Sequence, residues 1–219
     1  ILEIRNTDLT SVSLGYDQEY ASNGVDEELA ALVRDSLHVF ESLGADVRPV
    51  SLPDIDEFLP AWKSICSAEA YNAHEEFFPD RREEYGPWFR EWLETGYSVT
   101  AKDYIEASKV RSACNGLVRK ALEEVDALIC PTTISFPHRV DDSINYGPMD
   151  DRRGTSFQRF TVPYDYNGYP TVSVPCGFSS EGMPASLQVV GKLLEESTIC
   201  KVANAYENAT EWSSHHPPE

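Results

Sequence analysis

The chain has 219 residues, of which 41% are hydrophobic, 11% aromatic and 25% charged; this is the balance of an ordinary globular protein and excludes collagen-like, coiled-coil and disordered classes. A chain of this length can bury about 70% of its unfolded surface, enough for one sizeable α/β core. Eighteen Lys and Arg stand against 37 Asp and Glu, a formal charge of −19, and such a surface repels phosphate backbones and anionic lipids, arguing against nucleic-acid and membrane partners.

Val12, Leu14 and Tyr16 alternate with Ser11, Ser13 and Gly15, predicting a short strand that ends in a polar loop at Asp17. A helix should follow. Glu27 and Glu28 suit its N-terminus, and Leu29, Leu32, Val33, Leu37, Phe40 and Leu43 recur at helical spacing up to Gly44. Asp46–Val50 reads as a second strand bounded by Leu52-Pro53, and this strand–helix–strand spacing favours parallel pairing with a right-handed crossover. Residues 54–100 spread Trp62, Phe77, Phe78, Trp88 and Trp92 among acids, with a break at Pro79-Asp80-Arg81-Arg82, and read as a helical cover.

From Thr100, a candidate N-cap, to Glu124 runs a long amphipathic helix with Tyr104, Ile105, Ala107, Leu117, Val118 and Leu122 on its inward face. Asp126–Cys130 is a buried-strand pattern stopped by Pro131. Residues 135–170, with four Pro and three Gly, are too long for an ordinary connection and read as a pocket-building loop. Pro170–Cys176 and Ala185–Val190, joined by a turn at Ser179–Met183, form a hairpin pattern. Glu195–Trp212 reads as a terminal helix, and residues 213–219 as a loose tail.

Five cysteines, Cys66, Cys114, Cys130, Cys176 and Cys200, are odd in number and nowhere form C-x-x-C, which argues against a disulfide scaffold or a Cys-based zinc site. No run of 18 apolar residues occurs, and Ile1-Leu2-Glu3-Ile4-Arg5 is neither a signal peptide nor led by Met. The expectation is a cytoplasmic protein whose true beginning lies upstream. Only six of the basic residues are Lys, a composition that leaves adaptation to high salt open. Of the five His only His215-His216 are clustered, and acid runs such as Glu75-Glu76 and Asp141-Asp142 read as solvated faces, so no metal or cofactor is expected.

Asp126-Ala-Leu-Ile-Cys-Pro-Thr-Thr133, Phe160-Thr-Val-Pro163, Gly168-Tyr-Pro-Thr-Val-Ser-Val-Pro-Cys-Gly-Phe178, Gly182-Met-Pro184, Leu187-Gln-Val-Val-Gly-Lys192 and Ala205-Tyr-Glu207 follow one another in an order that resembles the C-terminal half of an amidase-signature hydrolase. Leu43-Gly-Ala45, Gly96, Asp103-Tyr104 and Arg111 agree, so the resemblance spans almost the whole chain. It implies an α/β fold: residues 1–212 would be the C-terminal part of one three-layer α/β/α domain around a mixed, largely parallel sheet. It also implies hydrolysis of carboxamide C–N bonds by a Ser–cis-Ser–Lys triad through an acyl-enzyme, with backbone N–H groups holding the oxyanion.

The chain departs from that family where the chemistry resides. It has no Gly-Gly-Ser-Ser-Gly stretch and no Lys placed ahead of one. Ser179-Ser180, beside Glu181-Gly182, reads as turn chemistry, and no Ser-x-x-Lys occurs. No residue of this chain is therefore expected to be catalytic, and the chain alone is expected to be inactive. The expected partners are a small-molecule amide substrate and the missing N-terminal half of the same domain; a homodimer is left open, and so is a catalytically inactive binding fragment.

Candidate substrate-binding residues follow the strands. Thr132 and Thr133 succeed the Asp126–Cys130 strand at its carboxyl end, where open α/β sheets place functional loops; each lines the acyl pocket or simply satisfies a turn. Gln158, Phe160 and Thr161 precede Pro163. In the glutaminase subunits of tRNA-dependent amidotransferases, the resemblance implies an acidic residue near Gln158, and those subunits usually carry a Tyr-Tyr pair where this chain has Thr100-Ala-Lys-Asp-Tyr104. Both departures favour a general amidase over glutamine-dependent ammonia delivery. Arg90 either reaches for a substrate carboxylate or lies along its helix surface. Cys176, in an apolar strand with no His beside it in sequence, reads as packing.

Overall fold

A computed structural model of the chain describes residues 7–137 and 156–216. Residues 138–155 of the expected long loop, with His138 and Asp141-Asp142, lie outside the described residues, as do 1–6 and residues 217–219 of the tail.

The strand–helix–strand unit forms as its spacing predicts. Strand β1 (Ser13–Tyr16) pairs in parallel with β2 (Asp46–Pro49), Ser13 opposite Asp46. Asp17, expected to end β1 in a loop, instead caps a short helix α1 (Gln18–Ser22), accepting from the amides of Glu19 and Tyr20. The longer helix before β2 is α2 (Glu27–Ser42), whose N-cap Asp26 accepts from the amides of Glu28 and Leu29 and whose first turn carries Glu27 and Glu28, so side-chain caps and acids meet the orphan amides of the helix start. Leu29, Val33, Leu37 and Phe40 are its buried stripe.

Residues 54–100 contain two full helices, α3 (Leu59–His74) and α4 (Pro87–Tyr97). They approach so closely at Gly96 that a Cβ there would lie 2.0 Å from the Ser67 carbonyl oxygen. Helix α5 (Ala101–Leu122) starts with a capping box: Thr100 Oγ1 accepts from the Asp103 amide and Asp103 accepts from the Thr100 amide. Its buried positions are Ala107, Cys114, Val118 and Leu122, while Ile105 and Leu117, expected inward, are 54% and 43% exposed.

Strand β3 (Ala127–Pro131) joins the other side of β1 in parallel, Leu14 opposite Ala127. After it come α6 (Val162–Asn167), a helical turn inside the segment expected to be loop, and then β4 (Thr171–Phe178), β5 (Pro184–Gly191) and α7 (Glu196–Ala209). The hairpin β4–β5 is antiparallel, and β5 pairs antiparallel with β3, giving the order β2-β1-β3-β5-β4. The sheet is mixed; in this portion two strand pairs are parallel and two antiparallel.

A bulge interrupts β4 between Pro175 and Gly177. Gly177 has φ +149°, and a Cβ there would meet Leu32 Cδ2 at 2.8 Å, so the site favours glycine both for its backbone and for the approach of α2. Every residue of β3 is buried, which requires cover on both faces of the sheet. Helices α2 and α7 pack together and against the hairpin, with Phe40 and Tyr206 ring centroids 4.9 Å apart. The other helical group joins α3 to α4, α5 and α6.

Candidate functional site

The carboxyl ends of β1, β2 and β3 lie along one edge of the sheet, at Tyr16, Pro49 and Pro131. Asp17 organises that edge: besides capping α1 it accepts from the Leu52 amide at 2.6 Å, fastening the chain after β2.

Antiparallel register places Cys130 of β3, Gln188 of β5 and Ser173 of β4 in one line across three strands, on the same face. The next line toward the carboxyl end holds Thr132 and Ser186: the Thr132 amide donates to the Ser186 carbonyl at 3.3 Å, and Thr132 Oγ1 donates to Ser173 Oγ at 3.3 Å. These residues form a polar strip at the end of an otherwise apolar sheet.

Above the strip sits the segment that carries the other candidates. Gln188 Nε2 donates to the Phe160 carbonyl at 2.8 Å and lies 3.5 Å from Cys130 Sγ. Tyr20, presented by α1, donates its hydroxyl to the Arg159 carbonyl at 2.9 Å and lies 3.3 Å from the Tyr164 hydroxyl of α6, which is 3.9 Å from Cys130 Sγ. The Arg159 guanidinium forms an ion pair with Asp56 and donates to the Asn23 carbonyl.

Burial raises the Tyr20 and Tyr164 hydroxyls well above their ordinary range and pushes the Cys130 thiol up to about 11. These groups are therefore neutral hydrogen-bonding members of the core, and Cys130 is a protonated thiol rather than a nucleophile. Cys176 is also buried, and burial pushes it up to about 12.

The five predicted residues do not share one environment. Thr132 is half-buried on the polar strip, whereas Thr133 is exposed and donates its hydroxyl to the Ser135 carbonyl at 2.9 Å. Gln158 is half-buried, and its carbonyl accepts from both the amide and the hydroxyl of Thr161, at 3.1 and 3.3 Å. Phe160 is 0% exposed, its ring edge-on to Tyr20 at 4.8 Å, so it reaches the site through its carbonyl. The structure brings the backbone of 159–160 onto Gln188 and Tyr20 and leaves Thr133 within its own turn.

Ser173, Ser186, Gln188, Tyr20 and Tyr164 were not legible as site residues from motif logic. One signal pointed to the first three: polar residues two apart in apolar strands, Thr171-Val-Ser173 and Ser186-Leu-Gln188, mark one face of each strand as something other than oily core. Nothing local marks Tyr20.

Other candidates take structural roles. Arg90 pairs with Glu83 at 3.1 Å and donates to the Tyr85 carbonyl at 3.0 Å. Ser179 Oγ accepts from the amides of Glu181 and Met183, and Ser180 donates to Glu28, which is turn and surface chemistry. Among the described residues no three His, Cys, Asp or Glu side chains converge as metal ligands, and no helix is long and apolar enough to cross a membrane. The strip offers hydroxyls and an amide that can orient a polar group, and no basic side chain hydrogen-bonds Thr132, Ser173 or Ser186 among the described residues.

A mixed five-stranded sheet covered by helices, with a polar strip at the carboxyl end of its parallel strands, defines a domain of the layered α/β/α class. The Amidase family model matches residues 3–200, and the chain belongs to that amidase-signature family. It is 31% identical over 205 residues to an amidase of Pseudomonas putida, covering 93% of this chain and 44% of that protein. It is 30% identical over 240 residues to the A-type component of the glutamyl-tRNA(Gln) amidotransferase of Rippkaea orientalis, covering 97% of this chain and 48% of that protein. Among solved structures, 6-aminohexanoate cyclic dimer hydrolase shares the fold at TM-score 0.81 and 23% identity, over 98% of this chain and 48% of that one. A crystal structure of an amidase matches at TM-score 0.77 and 27% identity, over 92% of this chain and 46% of that one. The chain spans about half the length of the curated relatives it matches.

Proposed function

We propose that the chain is the C-terminal portion of an amidase that hydrolyses carboxamide C–N bonds with a Ser–cis-Ser–Lys set contributed from upstream, and that by itself it is inactive. The observation that carries this reading is the family match over residues 3–200 combined with a sequence that contains no Gly-Gly-Ser-Ser-Gly stretch and no Lys ahead of one. In the mechanism, the upstream Lys takes a proton through the bridging Ser from the nucleophilic Ser, which attacks the amide carbonyl; the C–N bond breaks, amine or ammonia leaves, and water releases the acid from the acyl-enzyme.

The residues of this chain contribute wall and floor. Thr132 with Ser173 and Ser186 would face the acyl group, and the segment Gln158–Thr161 would close one side, with Gln158 offering a neutral amide. The surface left open suits a complementing half: Ile105, Leu117 and Tyr97 are exposed, and the buried Tyr16 hydroxyl at the end of β1 has no hydrogen-bond partner among the described residues. Uncovered apolar surface of this kind favours an intramolecular neighbour.

The test is ammonia release from uncharged aliphatic and aryl carboxamides, by the full-length gene product and by residues 1–219 alone. Turnover by the former and none by the latter is expected; turnover by 1–219 alone overturns the reading. A second reading, a glutaminase component feeding ammonia to a partner, is favoured by the 30% identity to the A-type component of a glutamyl-tRNA(Gln) amidotransferase. It requires glutamine hydrolysis that rises when the other components are added.

A further inference from the structure

Three points of the segment that precedes α6 are tied to elements far away in sequence. The Phe160 carbonyl takes a hydrogen bond from Gln188 of β5, 28 positions on, and the Arg159 carbonyl takes one from Tyr20 of α1, 139 positions back. The Arg159 side chain reaches Asp56 and the Asn23 carbonyl. Gln188 is 4% exposed and Phe160 0% exposed, so the Gln188 bond is shielded from water. A buried amide in a strand core costs free energy unless both ends are used. An apolar side chain in the same place would leave the Phe160 carbonyl without this donor, so Gln188 is matched to the segment it meets and not only to the strands beside it.

We propose that Gln188, seconded by Tyr20, is a positioning residue that sets the height and register of Gln158–Thr161 over the Thr132–Ser173–Ser186 strip, and thereby the affinity of the amide pocket. The proposal rests on the amidase reading given above. Gln188 is suited to it because its position is fixed from two sides. Its backbone is paired with Cys130 and Ser173 on neighbouring strands, and among the described residues its Nε2 donates to the Phe160 carbonyl and lies against the Cys130 sulfur. Tyr20 acts one residue earlier, and its ring also packs edge-on against Phe160, so the carbonyls of 159 and 160 are held by donors from different layers of the fold.

The deciding experiment compares wild type, Gln188→Met, which keeps the volume and removes the donor, and Tyr20→Phe, which removes only the hydroxyl, in the full-length gene product. Hydrogen exchange followed by mass spectrometry is read in peptides spanning 160–166, where the amides of Thr161, Tyr164 and Asp165 are hydrogen-bonded locally, and in β3 and β5. Expected for Gln188→Met is an acceleration of about tenfold confined to 160–166, with KM for carboxamides rising by about the same factor and kcat within about twofold; Tyr20→Phe should move both in the same direction by less. Unchanged exchange in 160–166, exchange that quickens equally in β3 and β5, or a fall in kcat at unchanged KM overturns the proposal. If wild type hydrolyses no carboxamide, the amidase reading fails, while the exchange pattern by itself still decides whether Gln188 holds the segment.

Discussion

Asp126 and Ser13, 113 positions apart, clasp the starts of β3 and β1: Asp126 Oδ2 accepts from both the amide and the hydroxyl of Ser13 at 2.8 Å, and the Asp126 amide lies 3.1 Å from Ser13 Oγ. The clasp fixes the parallel register of the two strands at the end opposite the candidate site. Through that register it sets where Pro131 and Thr132 emerge.

The clasp should be visible in the pH dependence of stability. Burial acts to raise the Asp126 carboxyl, but the donors on Ser13 outweigh it, helped by Lys192 and Arg48, and hold it below the ordinary carboxylate range. A value lowered by folding gives stabilisation that is complete above the unfolded value and is lost as pH falls through the folded one. Asp126→Asn should therefore cost about 1 kcal/mol at neutral pH. The gap to wild type, measured by urea unfolding, should shrink as pH falls from neutral through and below the ordinary carboxylate range; a gap that is flat with pH would show that the charge does not matter.

Gly96→Ala should destabilise although alanine is the better helix former. The intrinsic gain is about 1 kcal/mol, but the new methyl would overlap the Ser67 carbonyl oxygen, and overpacking of two closely apposed helices costs about 1–3 kcal/mol or more. The expected result is a fall in Tm of several degrees, with Gly116→Ala as control, since nothing lies within 4 Å of a Cβ there. Equal Tm changes in the two variants would contradict the close approach of α3 and α4.

The Arg159–Asp56 pair joins the segment before α6 to the turn before α3, and Arg159 is the more buried partner, its side chain 12% exposed against 40% for Asp56. Removing the acid leaves a guanidinium largely shielded from water, so Asp56→Ala should cost about 2 kcal/mol, below the figure for fully buried pairs because Asp56 is partly solvated. A double-mutant cycle with Arg159→Met should return a coupling of about 1 kcal/mol. A coupling near zero would mean that the Asn23 carbonyl alone holds Arg159.

Thiol chemistry should divide the cysteines by burial. Burial pushes Cys114 and Cys130 up to about 11 and Cys176 up to about 12, while Cys200 is exposed. Iodoacetamide on the native protein near neutral pH should label Cys200 and leave Cys114, Cys130 and Cys176 intact until denaturant is added. Rapid native labelling of Cys130 would show that the Gln188–Tyr164 environment opens to solvent.

Local order was readable wherever one helix or strand could be judged alone. The Leu29–Phe40 stripe, the Thr100 cap and the alternation before Asp17 depend on neighbours three or four residues away, so periodicity locates α2, α5 and β1. It failed where a second partner decides. Ile105 and Leu117 fit the inward pattern of α5 but are exposed, because the packed surface under α5 receives the Ala107–Cys114–Val118–Leu122 line instead. Nor does a motif tell which end of Phe160 faces which neighbour: its ring is buried and its carbonyl meets Gln188.

By itself, then, the sequence determined the family, the five described strands and the long helices α2, α5 and α7 in their order, and the absence of the attacking serine motif from these 219 residues. Those features are written in contiguous residues: caps, periodicity, and motifs in succession. Only the tertiary structure decided that Gln188, Tyr20 and Cys130 meet beneath residues 159–160, and that Thr132 faces Ser173 across β5. Such meetings depend on strand register and on long-range hydrogen bonds between residues up to 139 positions apart, and a shift of one residue in β5 would turn Gln188 to the opposite face of the sheet.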